Sequence, residues 1–392
     1  MGGVGSRGDA VLTGSPSDRF GLGATTVLVT MSLGMATVAV PLVVVAAGHD
    51  LAVVGALAAA AALSQAITRL GMGRLMEFFS TRTFVAVSTL LVGVSGVMLV
   101  ADTSILTLFI SQVLQGAGRA YFWTGAQTHV IRSSASSVTG LMRMNIGIGI
   151  GSLIGPMLTG FLAAFSFQLA LGVSGVVALV GLVPTTLLVR FPPFDRIIHE
   201  PGARPRAVWS RREVRLATAL NAVAGSWYAL VTSYVPVAFA AGGQSPVTIG
   251  VLIGIANIAV LLGSTLARVA STVTSKTLLL AGVLPTGTGL AAASLLAEFD
   301  LLAGLFLAIS GLGAGLLQTL APAMATAAVA SNEHGRAIIS LGTVRSITIL
   351  LMPLLVSGLI VIVPSVMIAT GVGAAVSALP AVAVLRRRKS AT

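Results

Sequence analysis

The sequence predicts an all-α membrane protein: twelve transmembrane helices in two pseudo-symmetric six-helix bundles. Three observations predict it. Of the 392 residues, 56% are hydrophobic and only 9% are charged, whereas a soluble protein keeps roughly a quarter of its residues charged. The apolar residues run in stretches of about twenty, the length that crosses a hydrocarbon core about 30 Å thick. The third observation is that Lys and Arg collect in alternate breaks between these stretches, as they do in loops facing the cytoplasm.

The spans are expected at 21–46, 51–69, 83–101, 104–128, 141–163 and 168–189, then at 214–240, 246–268, 276–297, 301–328, 337–361 and 364–385. Pro41, Pro156, Pro236, Pro322 and Pro353 fall inside them, which membrane helices tolerate because neighbours re-satisfy the freed backbone groups. Residues 1–20 are Gly/Ser-rich and polar, without the apolar core of a secretory signal, and read as a disordered cytoplasmic tail. Residues 190–213 carry Pro192, Pro193, Pro201 and Pro205 among many arginines. They read as a cytoplasmic linker between an N-terminal bundle, 21–189, and a C-terminal bundle, 214–385. Residues 386–392 form a basic tail.

Charge sets the orientation. The inner breaks hold Arg69, Arg74, Arg82, Arg132, Arg268, Lys276 and Arg336, besides the linker arginines and Arg386, Arg387, Arg388 and Lys389. The outer breaks hold Asp50, Asp102, Glu298 and Asp300 and no Lys or Arg. The protein is therefore expected in a bacterial inner membrane with both termini cytoplasmic. The net charge of +12 then belongs to loops facing anionic lipid, and no nucleic-acid partner is needed. The sequence has no cysteine, which excludes disulfides and thiolate metal sites.

Three stretches carry recognisable spacing. Between spans two and three, Gly73-Arg74-Leu75-Met76-Glu77-Phe78-Phe79-Ser80-Thr81-Arg82 forms a short loop of glycine, acid and basic residues. Span four reads Gln112-Val113-Leu114-Gln115-Gly116-Ala117-Gly118-Arg119. Span five reads Gly151-Ser152-Leu153-Ile154-Gly155-Pro156-Met157-Leu158-Thr159-Gly160. Gly147, Gly151 and Gly155 recur every fourth residue and so lie near one helix face, where another backbone can approach closely. Pro156 loosens the hydrogen-bond ladder there.

Together with six plus six spans and a basic central loop, these stretches resemble the major facilitator superfamily. Gly73, Glu77 and Arg82 occupy positions of that family's conformational latch, with Glu for Asp and with Phe78, Ser80 and Thr81 departing from the pattern. Gln115, Gly116 and Gly118 match a fourth-helix motif in which Gln112 replaces an arginine linked to proton coupling. The fifth-span stretch is similar to the signature of the exporter branch. The resemblance implies alternating access about a mid-membrane site, with Gly73, Glu77, Arg82, Gly151, Gly155, Pro156 and Gly160 as gating positions.

Charges inside a membrane are functional candidates. No Asp or Glu falls near mid-membrane, but three arginines lie within spans: Arg119, Arg345 and Arg143, the last close enough to the inner end to reach the headgroups. Gln112, Arg119 and Trp123 share one face of span four at spacings of seven and four. Gly116 lies on the same stripe and leaves room. By the resemblance this face lines the central cavity. Asn221, Tyr228 and Thr232 share a face of span seven, and Gln318 in span ten is the polar candidate opposite Arg345. The substrate-binding candidates are thus Arg119, Gln112, Gln115, Trp123, Asn221, Tyr228, Gln318 and Arg345.

Arginine without a buried carboxylate points to a small anionic or neutral amphipathic substrate, moved outward. An importer or exchanger of organic anions is the alternative, and a non-transporting scaffold a lesser one. Enzymatic activity is not expected, because the four His lie in loops or at helix ends and no intramembrane catalytic cluster is present. The expected partners are the solute, membrane lipid and a proton or other coupling ion, with no cofactor and a monomeric state.

Overall fold

The computed structural model describes residues 15–134, 137–193, 211–270, 275–330 and 333–379. Their secondary structure is helical throughout: α1 (Pro16–Ala46), α2 (Leu51–Leu75), α3 (Thr81–Ala101), α4 (Ile105–Ser133), α5 (Ser137–Ala163), α6 (Phe167–Val180), α7 (Leu182–Thr185), α8 (Arg212–Val231), α9 (Tyr234–Ala241), α10 (Pro246–Ala270), α11 (Ser275–Leu295), α12 (Asp300–Ala327), α13 (His334–Ile362) and α14 (Val366–Val376). These fourteen map onto the twelve expected spans, with α6 and α7 falling in one span and α8 and α9 in another. Among the described residues eight spans, with α6 and α7 counted as one, are long and apolar enough to cross a membrane, and the bent α8–α9 pair makes a ninth. The polar stripe of α4 keeps its hydropathy below theirs.

The local chemistry of the helix ends accounts for the passes. Ser15, Ser80, Ser104, Ser166 and Ser365 each accept a hydrogen bond from a backbone N–H in the first turn of the helix that follows, satisfying a donor with no intrahelical partner. Asp50 caps α2 in the same way. Gly48 and Gly243, at φ +73° and +83°, let the chain turn out of α1 and α9 in the left-handed region. The span carrying Tyr228 bends by 48° between α8 and α9. Pro236 lies four residues beyond Thr232, so it supplies no N–H to that carbonyl and its ring crowds it. The Thr232 and Ser233 hydroxyls turn back to the carbonyls of Tyr228 and Ala229.

The packing repeats between halves. In the first half α1 packs on α5, α2 on α4, and α3 on both α4 and α6; in the second, α8 packs on α13, α10 on α12, and α11 on both α12 and α14. Each pairing maps onto its counterpart when the passes are shifted by six. The bundles meet along α2 with α13 and along α5 with α10, which are also equivalent under that shift.

The cores report how the bundles are tilted. One large apolar cluster joins both bundles at the end with the acidic breaks, from Ala36–Val44 of α1 to Tyr234, Phe239, Ile249, Met352 and Val356. Toward the end with the basic breaks the apolar core splits instead into separate clusters, none shared between the bundles, and two of them are large. One holds Leu22, Val85, Phe122 and Val130, the other Val214, Leu220, Leu317 and Leu341. The bundles are therefore closed against each other at the acidic end and apart at the basic end.

Several span bounds shift, among them two that carry charged residues into helices. Helix α1 begins at Pro16, not after residue 20, because Ser15 caps it and Pro16 fits its first turn. Helix α2 runs to Leu75 rather than 69, carrying Arg69 out of the break and into the helix. Of the expected linker, 194–210 lie outside the described residues, as do 1–14 and the basic tail 386–392. The last span is described as far as residue 379.

Candidate functional site

In the N-terminal bundle α4 presents Gln115, Arg119 and Trp123 at one-turn spacing. Arg119 Nη2 donates to Gln115 Oε1 at 2.8 Å, while its Nε is buried with no partner. Gly116 does not leave room for a solute as expected: a Cβ there would run into the Ala61 carbonyl of α2, so its bare face lets α2 close on α4. Gln112 is buried, with Nε2 unpartnered.

In the C-terminal bundle α13 presents Arg345. Its Nη2 donates to Gln318 Oε1 of α12 at 3.2 Å, and its guanidinium carbon lies 5.9 Å from the Tyr228 ring of α8. Nη1 is buried without a partner. Gly225 makes the space, since a Cβ there would stand 3.1 Å from Arg345 Cγ. Asn221 Nδ2 donates to the Leu341 carbonyl at 3.1 Å, tying α8 to α13.

Both arginines face one cavity of about 480 Å³ between the bundles. Trp123, Asn221, Tyr228 and Gln318 line it with them. Gln112 and Gln115 line a smaller recess of about 40 Å³, shared with Arg119 and Tyr228 at the acidic end. The cavity also holds residues that sequence reasoning missed, namely Arg69, Gln65, Gln127 and Trp227. Ala62, Gln65 and Arg69 follow helical spacing along α2. That spacing is the signal, hidden because the span was ended at Arg69. Trp227 Nε1 donates to Ser310 Oγ at 2.9 Å, so this ring is fixed. No Asp or Glu lines the cavity among the described residues.

Direct bonds between the bundles seal the acidic end. Tyr234 Oη of α9 donates to the Leu51 carbonyl at 2.9 Å and accepts from Gly55 N–H at 3.1 Å. Ser357 Oγ of α13 donates to the Ala52 carbonyl at 3.1 Å. A Cβ on Gly55 would stand 2.6 Å from the Pro353 carbonyl. The cavity extends from this seal past Arg69, Gln127 and Ile338 toward the basic end.

The glycines of α5 serve two contacts. Cβ atoms on Gly151 and Gly155 would collide with Thr30 and Met31 of α1, within one bundle. One on Gly160 would collide with the Pro246 carbonyl of α10, and one on Gly250 with the Pro156 carbonyl, across the bundles. Thr159 Oγ1 donates to the Met35 carbonyl at 3.0 Å, which gives this departure from the family signature a bond of its own. Near the end of α2 Gly73 is exposed, and in the loop that follows Glu77 is half-buried. Arg82 donates to the Leu188 carbonyl at 3.2 Å.

A buried pair at the basic end lies outside the cavity. Asp18 and His129 are both fully buried, with Oδ1 and Nε2 2.9 Å apart. Thr81 Oγ1 meets His129 Nδ1 at 2.9 Å, and Val189 N–H donates to Asp18 at 2.7 Å. The acid expected in a tail and the His expected at a helix end thus join α1, α3, α4 and the segment after α7.

The comparisons agree with this architecture. The family model of the Major Facilitator Superfamily matches residues 22–353. The chain belongs to the major facilitator superfamily. Solved transporters of this fold superpose on it closely. A bacterial homologue of the human lysosomal transporter Spinster, inward-facing and unoccupied, has a TM-score of 0.74 at 15% identity, over 94% of this chain and 96% of that one. The nucleoside transporter NupG gives 0.78 at 11% identity, over 94% and 99%. The peptide transporter POT gives 0.74 at 15% identity, over 96% and 97%. No curated protein matches the chain. Major facilitator proteins are secondary transporters rather than enzymes, and this chain is a multi-pass membrane protein of that family.

Proposed function

We propose that this protein exports a small anionic or neutral amphipathic solute across a bacterial inner membrane by alternating access. The observation that carries the reading is the pair of guanidinium groups, Arg119 in one bundle and Arg345 in the other. Each has a buried N–H without a partner, on a cavity that no carboxylate lines among the described residues. A buried cation costs free energy unless it is paired, so the cavity favours solutes that supply the missing acceptors. The basic breaks support a cytoplasmic position for the open end of the cavity, where an exporter loads. The likeness of the fifth span to the exporter signature supports the outward direction.

A second reading, exchange of organic anions, draws on the same absence of acids. With no carboxylate lining the cavity among the described residues to carry a proton, the driving gradient is better supplied by a second anion. Membrane lipid surrounds a monomer in either reading. A thermal-shift screen of metabolites and drugs on the purified protein, repeated with Arg119→Ala, tests the proposal. Stabilisation by anions that Arg119→Ala abolishes is the expected result. Tight binding of lipophilic cations that survives Arg119→Ala would refute it.

A further inference from the structure

We infer that the solute is an organic dianion whose two acidic groups are held by different bundles, one at Arg119 and the other at Arg345. The inference rests on the proposed transport of anions and narrows it.

Three cations face one cavity. Arg69 and Arg119 belong to the N-terminal bundle and Arg345 to the C-terminal bundle. The bonds described above are to neutral groups, the amide oxygens of Gln115 and Gln318 and the Tyr228 ring. They satisfy some N–H groups but cancel no charge. One carboxylate bound at either bundle would leave the other bundle's guanidinium uncompensated, and a partly desolvated charge without a counter-ion is the costly case. A solute with an acid at each end satisfies both. Its acceptors would meet the N–H groups now unpartnered, Arg119 Nε and Arg345 Nη1, in charge-assisted bonds.

The body of such a solute is specified too. Trp123 and Tyr228 stand on the cavity wall, one from each bundle, so a flat ring between the two acids has a face to meet on either side. The cavity of about 480 Å³ falls within the range of small-molecule sites, roughly 300–1,000 Å³. A dianion gripped from both sides also couples occupancy to motion, because its two ends stay satisfied only while the bundles keep their spacing across it.

Matched probes test this on the full-length purified protein at constant ionic strength: benzyl alcohol, benzoate and isophthalate, with none, one and two charges on one ring. Binding is read by calorimetry and by thermal shift. Isophthalate is expected to half-saturate at a concentration at least about tenfold below benzoate. Arg119→Gln and Arg345→Gln should each erase that advantage, so that in either variant isophthalate half-saturates within about threefold of benzoate. Arg119→Lys and Arg345→Lys, which keep the charge, should retain part of it, separating loss of charge from loss of fold. Isophthalate binding no tighter than benzoate, or an advantage surviving in Arg345→Gln, overturns the dianion while leaving anion transport standing. If benzoate and isophthalate both bind no better than benzyl alcohol, the anionic reading falls as well.

Discussion

Tyr234 of the C-terminal bundle holds both the carbonyl of Leu51 and the N–H of Gly55 in the N-terminal bundle, through one hydroxyl, at 2.9 and 3.1 Å. With Ser357 on Ala52, this is the polar part of the seal at the acidic end. A net hydrogen bond contributes about 0.5–1.5 kcal/mol. Tyr234→Phe should therefore move the equilibrium toward opening at that end by about tenfold, and Ser357→Ala by less. The sequence has no cysteine, so two introduced ones carry spin labels without background. Distances across the acidic end should lengthen in Tyr234→Phe. An unchanged distribution would mean the apolar cluster alone closes that end.

Two kinds of glycine should behave differently. Gly155→Ala would force a Cβ into the Met31 carbonyl of α1, inside one bundle, and overpacking of this kind costs about 1–3 kcal/mol. Its thermal midpoint in detergent should drop. Gly55→Ala meets Pro353 and Tyr234 across the bundles, so the strain is relieved by opening the acidic end. It should retain a near-normal midpoint and lose transport. Equal melting losses in the two variants would contradict this division.

The Asp18–His129 pair makes a third prediction. Both side chains are 0% exposed, and removing one partner of a buried pair costs about 3–5 kcal/mol because the other is left uncompensated. His129→Ala should therefore destabilise the protein strongly. Asp18→Asn with His129→Ala together should cost clearly less than the sum of the singles. Additive losses in thermal unfolding would show that the two do not act as a unit.

Arg69 provides a fourth. Arg69→Gln leaves Arg119 and Arg345 in place but removes one cation from the cavity field. Isophthalate binding should weaken about threefold, with a shallower dependence on salt. No change in either would place Arg69 outside the site.

Hydrophobic runs and charge partition made the span order and the two halves readable, because solvent acts on every residue of a span at once. The cavity arginines at 119 and 345 were legible for the same reason: a lone cation in an apolar run is conspicuous. Arg69 was not, since an arginine at the edge of a run looks like a loop residue until the helix is seen to continue through Gly73 to Leu75. Asp18 and His129 lie 111 residues apart, and no periodicity links them. Their pairing depends on the tertiary contact of α1 with α4. The role of Gly116 was misread for a similar reason, as a bare helix face does not announce whether a solute or a neighbouring helix fills it.

Alternating access is most directly tested at Ser346, beside Arg345 on the cavity wall. In oriented vesicles a Ser346→Cys variant can be challenged from each face with a membrane-impermeant maleimide, alone and combined with Gly55→Ala. Labelling should come from the basic-loop face in the single variant and from the opposite face once Gly55→Ala favours opening there. Labelling from one and the same face in both backgrounds would make the cavity a blind pocket, and the protein something other than a carrier.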